Sequence, residues 1–211
     1  MKKQVKREEI ISAAQKLIIQ KGYRKTSVED ITKEAGIAKG SFYTYFKSKD
    51  SLMESIFSEK IEELSKGLED SLKNVQGLDD TIKKYIRYYL SVSENEAEFI
   101  LVMMTMMRSI DSIGDVLIKR IEKDKTKKKE EIEEILKKYK DEIDIKDEND
   151  IERYSLIIRG NLNNFYINNY FPSGNRLNEI SIEGLQERIR SVDIEYETDF
   201  MSKAILKLIK K

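Results

Sequence analysis

A single proline, Pro172, interrupts a chain of 211 residues, and only nine glycines accompany it. These two residues most often end a helix, proline because it lacks the backbone N–H and crowds the preceding turn, glycine because ordering it costs the most backbone entropy. Both fall below the usual levels of roughly 5% and 7%, so long uninterrupted helices are favoured and the chain is predicted to be all-α. The charged fraction of 37% exceeds the typical quarter or so, which adds wide polar faces to those helices. The length suits one or two domains of about 150 residues and is enough to bury a core.

The absence of His and Cys excludes zinc fingers, His-ligated metals, thiol nucleophiles, the Ser-His-Asp triad and disulfides. Carboxylates, Lys, Tyr, Ser and Thr remain available for catalysis or metals, but no nucleophile with a base and no phosphate-cradling loop can be assembled from this sequence. No catalytic residue, metal ligand or cofactor is therefore assigned, and no enzyme is expected. The longest nearly unbroken apolar stretch, Phe99 to Met107, contains Thr105 and is far shorter than the about 20 residues a spanning helix needs, so no membrane partner is expected. Glu8 and Glu9 follow the basic Met1 to Arg7 without an apolar run, which is not a leader pattern. A chain without thiols fits a reducing compartment, and a cytoplasmic location is expected.

The formal net charge of zero conceals an asymmetry. Residues 1–50 carry twelve Lys and Arg against six Asp and Glu, and the rest of the chain carries 27 against 33. A basic head on an acidic body suggests a polyanion partner for the head, with a merely solvated basic helix as the alternative. Periodicity places Ile10, Ala14, Leu17 and Ile18 on one face of a first helix that Gly22 stops. Thr26 or Ser27 can cap a second helix, with Glu29 or Asp30 completing a capping box, and Gly36 ends it after Ala35. A third helix is expected over Ala38–Phe46. A fourth, capped by Ser48, follows the stripe Met53, Phe57, Ile61, Leu64, Leu68, Leu72 to about Val75. Further helical stripes run through Ile82, Tyr85, Ile86, Tyr89, through Phe99 to Ile110, and through Ile132, Ile135, Leu136, Tyr139, Ile143. The lysine-rich run from Lys123 to Lys129 reads as a solvated helix surface or loop. A helix over Arg153–Phe171 is broken by Pro172, Ser173 and Gly174, and two more helices close the chain around Leu185 and Ala204.

Residues 27–49 carry the chemistry. Two short helical patterns flank Ala35, Gly36 and Ile37, with apolar anchors at Val28, Ile31, Ala35, Ile37 and Phe42, which is a helix-turn-helix pattern. Lys39, Gly40 and Ser41 begin the second helix and would face the major groove, where Lys can donate to guanine and Ser to several base edges. Tyr43, Tyr45, Lys47 and Lys49 can donate to flanking phosphates, which fix register rather than sequence. The helix start at Thr26 or Ser27 adds backbone N–H donors for another phosphate. Phe42 and Phe46 are assigned to the core, Tyr43 is not.

The string Ala35-Gly36-Ile37-Ala38-Lys39-Gly40-Ser41-Phe42-Tyr43 is preceded by Ile10, Ala13, Ala14, Leu17, Gly22-Tyr23 and Thr26-Ser27-Val28 with Ile31. Tyr45-Phe46-Lys47-Ser48-Lys49 follows it. From Ile10 to Leu52 the chain resembles the DNA-binding domain of the TetR family of bacterial transcriptional regulators. The resemblance implies that Ser27, Lys39, Gly40, Ser41, Tyr43, Tyr45 and Lys49 lie at the DNA. It also implies an N-terminal three-helix helix-turn-helix domain at 1–47 and a helical ligand-binding and dimerisation domain at 48–211. In such proteins the last two long helices of each subunit form the dimer interface, here Ser155–Phe171 and Glu197–Lys210. Gly160, Asn164, Phe200, Ala204 and Leu208 are the candidates, with Gly160 allowing close approach. The asparagines at 161, 163, 164, 168 and 169 depart from an apolar interface and either enter a polar pocket or face solvent.

Met103, Met104, Met106 and Met107 offer an adaptable apolar surface, because thioethers fill irregular space; ordinary core packing is the alternative. Candidate ligand contacts are Met103, Met107, Tyr88, Tyr89 and Asn164. The expected function is that of a homodimeric repressor that binds a two-fold symmetric operator in double-stranded DNA and is released by an unidentified small-molecule effector. The competing expectation is a DNA-bound architectural or protein-recruiting factor without a small-molecule ligand.

Overall fold

A computed structural model describes residues 2–92, 94–107, 115–170 and 181–211. Ten α-helices occur among the described residues, with one short 3-10 turn at Glu94–Glu96. They are α1 (Lys2–Lys21), α2 (Val28–Glu34), α3 (Lys39–Tyr43), α4 (Lys49–Ser71) and α5 (Gly77–Leu90), then α6 (Ala97–Met107), α7 (Asp115–Lys138), α8 (Asp150–Tyr170), α9 (Ile182–Ser191) and α10 (Ile194–Ile209). No strand occurs among the described residues, only an isolated antiparallel bridge between Ile143 and Lys210. No described helix is long and apolar enough to cross a membrane. The expected break at Pro172, Ser173 and Gly174 and the end of the Phe99–Ile110 stripe lie outside the described residues.

The chain divides into two compact units, residues 1–63 with 95–123 and residues 64–94 with 124–211. In the first, Ile10, Ala14, Leu17 and Ile18 of α1 are buried with Ile31 of α2 and Phe42 of α3. Helices this short cannot close a core alone. Leu52, Met53, Ile56 and Phe57 of α4 and Val102 and Met106 of α6 complete it, with the Phe57 and Phe99 rings edge to face at 5.7 Å. The hydrophobic core of the head thus extends well past residue 47. Met103 packs against the same cluster, which is the core-packing alternative for the methionine run.

In the second unit α5 buries Ile82, Tyr85 and Ile86 along one face, and α10 lies on it with Ile205 and Ile209 buried. Lys83–Asp199, Arg87–Glu195 and Lys210–Asp79 ion pairs join the two helices. After α10 the chain hydrogen-bonds to the segment after α7: Asp144 N–H donates to the Ile209 carbonyl at 2.8 Å and Lys211 N–H to that of Glu142 at 3.2 Å. Ile143 therefore continues the buried stripe of α7 although it lies beyond the helix. The lysine-rich 123–129 run is helical within α7.

Two helices are shorter than their stripes predict. α4 ends at Ser71 rather than Val75, where Leu72 N–H is shared between the carbonyls of Leu68 and Glu69 as the last turn tightens. α3 ends at Tyr43 rather than Phe46, because Tyr45 and Phe46 both direct their N–H groups to the Phe42 carbonyl and close a turn.

Candidate nucleic-acid interface

The helix-turn-helix is held by local chemistry at both ends of α2. Ser27 is extended (φ −99°, ψ 162°) and forms a reciprocal cap with Asp30. Its hydroxyl accepts the Asp30 N–H at 3.1 Å, and the Asp30 carboxylate accepts the Ser27 N–H at 2.8 Å. Lys21 lies 2.8 Å from the same carboxylate. Hydrogen bonds from Lys21 and Ser27 hold Asp30 well below the usual carboxylate range. The cap is therefore Ser27, with Asp30 as its partner. Thr26 is buried, and its hydroxyl donates inward to the Gly22 carbonyl at 2.9 Å, so it presents no hydroxyl at the surface.

At the other end Gly36 takes φ +64°. Its N–H donates to the Lys33 carbonyl at 3.2 Å and the Ile37 N–H to that of Thr32 at 2.9 Å, which satisfies the last carbonyls of α2 in a Schellman turn. The chain then enters α3 at Ala38, extended and without a side-chain cap. Phe42 is buried and anchors α3, while Phe46 is 5% exposed and Tyr43 52% exposed, as their assignments predict. The Tyr43 ring stands edge to face with Phe42 at 5.4 Å.

Lys39, Gly40, Tyr43 and Lys47 are exposed, Ser41 is half-buried, and Tyr45 packs partly against the core. A Cβ at Gly40 would meet nothing within 4 Å, so open space lies over α3 there. Lys39 donates to Glu29 of α2 at 2.6 Å, and that carboxylate raises the lysine above its ordinary pKa. Sequence spacing gave no sign of this pair, because the two residues lie on different helices. Lys49 differs from the other lysines. Its ammonium donates inward to the carbonyls of Tyr23 at 2.8 Å and Thr26 at 2.7 Å. Burial lowers its pKa, opposed by Asp50 and Asp30. Arg7 was also not foreseen: it pairs with Glu59, donates to Ser55 at 2.7 Å and stacks 5.4 Å above Phe46.

The body candidates are less clustered. Tyr88 donates to the Leu64 carbonyl of α4, and Tyr89 donates to Glu131 of α7 at 2.9 Å. Met103 belongs to the first unit, and the side chain of Met107 lies outside the described residues. Asn164, Phe200, Ala204 and Leu208 do come together, lining a shallow groove of about 370 Å³ between α8 and α10. Gly160 is exposed, with nothing within 4 Å of an added Cβ. Asn161, Asn168 and Asn169 line the same groove and turn their amides back to the carbonyls four residues earlier on α8.

A capped helix-turn-helix that exposes Lys39, Gly40 and Tyr43 on its second helix, carried on an all-helical frame among the described residues, has the form of a DNA-binding class of protein. Residues 10–56 match the family model described as bacterial regulatory proteins, tetR family. Residues 10–56 thus carry the pattern of that family's N-terminal DNA-binding domain. The chain is 29% identical over 106 residues to the fatty acid metabolism regulator protein of Bacillus subtilis (strain 168), which covers 50% of this chain and 55% of that protein. It is 53% identical over 49 residues to the uncharacterized HTH-type transcriptional regulator YuxN of the same strain, covering 23% of this chain and 17% of that one. The chain thus spans about half the length of the first relative and under a fifth of the second. The fold is similar to the crystal structure of transcriptional regulator FadR from Bacillus subtilis in complex with stearoyl-CoA, at a TM-score of 0.66 and 20% identity over 94% of this chain and 97% of that one.

Proposed function

We propose that the protein is a transcriptional repressor that binds a two-fold symmetric operator as a homodimer and is released by a small molecule carrying a long acyl chain. The observation that carries the reading is the presentation of α3: Lys39, Gly40 and Tyr43 are exposed above a buried Phe42, on a turn fixed by the Ser27 cap and Gly36. Residues 1–47 are assigned to DNA recognition and 48–211 to regulation and dimerisation. Lys39 reads guanine, exchanging Glu29 for base acceptors, and Ser41 reads a neighbouring base edge. Gly40 lets the backbone approach the groove. Tyr43, Tyr45 and Lys47 contact phosphates, as do the first amides of α2 behind Ser27.

Dimerisation is assigned to α8 and α10, and its support is apolar exposure. Leu156 and Ile167 on α8 are 62% and 57% exposed, and Tyr196 and Phe200 on α10 are both 64% exposed. A C2 dimer would set two α3 helices in successive major grooves about 34 Å apart. The acyl class of effector is supported by a relative described as a fatty acid metabolism regulator and by the similar fold of a Bacillus subtilis regulator solved in complex with stearoyl-CoA. Release requires that the effector prefer a conformer of low operator affinity, and moving a 1:99 population to 99:1 needs about 5.5 kcal/mol of preference. Fragmented genomic DNA of the source organism, incubated with the protein at physiological salt over a nonspecific competitor, tests the reading. Enrichment of a few two-fold symmetric sites, released by stearoyl-CoA, is the expected result. No enrichment by the folded protein would overturn operator recognition, and release by no acyl thioester would overturn the effector class.

A further inference from the structure

We propose that Lys49 is a positioning residue: from the first turn of α4 its ammonium grips the carbonyls of Tyr23 and Thr26 and so sets where the capped start of α2 lies. The peptide unit between Thr26 and Ser27 is held on both sides. Its carbonyl accepts from Lys49 at 2.7 Å, and its N–H donates to Asp30 at 2.8 Å. The Tyr23 carbonyl accepts from Lys49 at 2.8 Å and from the Thr26 N–H at 3.2 Å, which closes the segment after α1. The Tyr23 ring forms the floor of the seat, with the ammonium 4.1 Å from its centroid. The Tyr23 hydroxyl donates to Asp50, so two consecutive residues of α4 hold the same loop. Tyr23 and Thr26 are 2% and 1% exposed, and the seat is therefore part of the packed head.

An ammonium has three donors in all. Two of them are spent on carbonyls here, and the ring occupies a further side. Lys47 contrasts with this, being exposed two residues earlier. The distinction matters because the two roles leave different signatures. A lysine that neutralises a phosphate releases counterions, so its loss changes the salt dependence of binding by about one unit on a log–log scale. A lysine that only holds a helix start lowers affinity at every salt concentration and leaves that slope in place.

The proposal rests on the DNA-binding reading above, and its test separates the two. Full-length Lys49→Met keeps the alkyl stem over Tyr23 and removes the donors. Tyr23→Phe removes the hydroxyl bond to Asp50 without altering any charge, and covers the case in which the first variant does not fold. Each is titrated with a duplex enriched from genomic DNA and with a random-sequence duplex from about 50 to 250 mM salt, beside Lys47→Ala. Amide hydrogen exchange of residues 23–31 is followed in the free proteins. Lys49→Met is expected to lose about tenfold in affinity, and Tyr23→Phe about fivefold, both with parental slopes and faster exchange at residues 26–31, while Lys47→Ala loses about one unit of slope. A slope lowered by about one unit in Lys49→Met would make it a phosphate contact and overturn the proposal. Unchanged exchange in both variants would overturn it too. If the parent binds neither duplex, the DNA-binding reading falls and the exchange comparison alone decides whether Lys49 fixes the start of α2.

Discussion

At the scale of single residues, α2 is defined by a cap and a stop that depend on few atoms. Removing the Ser27 hydroxyl leaves an N-terminal amide of α2 unpaired, and Ser27→Ala should cost about 1 kcal/mol in urea unfolding. Gly36 poses the opposite question, since a Cβ there meets nothing within 4 Å and only its φ of +64° resists substitution. Gly36→Ala should then cost roughly 1–2 kcal/mol from backbone strain alone, without loss of packing. Asp30 adds a pH dependence. Its carboxyl is depressed in the folded protein by Lys21 and Ser27, so its contribution is present above the unfolded value of about 3.9 and is lost as pH falls through the folded value. Thermal melts of Asp30→Asn against the parent should differ at pH 6, and the difference should shrink as the pH falls from about 3.9 toward the depressed folded value, closing only there. Melts that stay separated at low pH would show that the Asp30 charge is not the source of the difference.

At the scale of elements, α3 spans only Lys39–Tyr43 and has no stability of its own. Phe42 is fully buried, and Phe42→Ala should cost about 3–5 kcal/mol, enough to detach α3 from the head. Lys39→Ala leaves that anchor intact and should cost roughly 1–3 kcal/mol at one operator position while sparing others, measured across a set of single-base operator variants. An equal loss on every variant would reassign Lys39 to a phosphate. The boundaries of α2 and the burial of Phe42 were legible in the sequence because they are set locally, by a capping hydroxyl, a glycine and helical spacing. The closure of the head core was not. A stripe shows that a face is buried but not against what, and Val102 and Met106 reach α1 from about ninety residues away. The inward bonds of Lys49 were not legible for a related reason: the sequence reading grouped it with Lys47 as a phosphate donor, and only the fold brings the backbone carbonyls of residues 23 and 26 under its ammonium.

At the scale of the whole molecule, α10 packs one face on α5 and leaves the other largely exposed beside α8. Ile205 and Ile209 are buried toward α5, whereas Tyr196, Phe200 and Leu208 are 64%, 64% and 50% exposed. The Tyr196 and Phe200 rings lie nearly parallel, 13° apart at 6.4 Å, and present a flat apolar surface. With Leu156, Ile157 and Ile167 of α8 these are most of the exposed large apolar side chains among the described residues, and exposed apolar surface gathered on two helices marks a candidate interaction face. In the proposed C2 dimer this face would meet its own copy in an isologous contact, in which each residue meets its counterpart's neighbourhood. Phe200→Glu would place a charge within that proposed contact yet disturb little within the chain, since the side chain is mostly solvated there. The variant should keep parental helicity and melt within about 0.5 kcal/mol of the parent once dilution effects are removed. It should sediment as a monomer at micromolar concentration, and its operator affinity should fall at least a hundredfold, because a monomer engages one half-site and loses the gain from the linked second head. A Phe200→Glu protein that remains dimeric and binds the operator as the parent does would move the interface off α8 and α10.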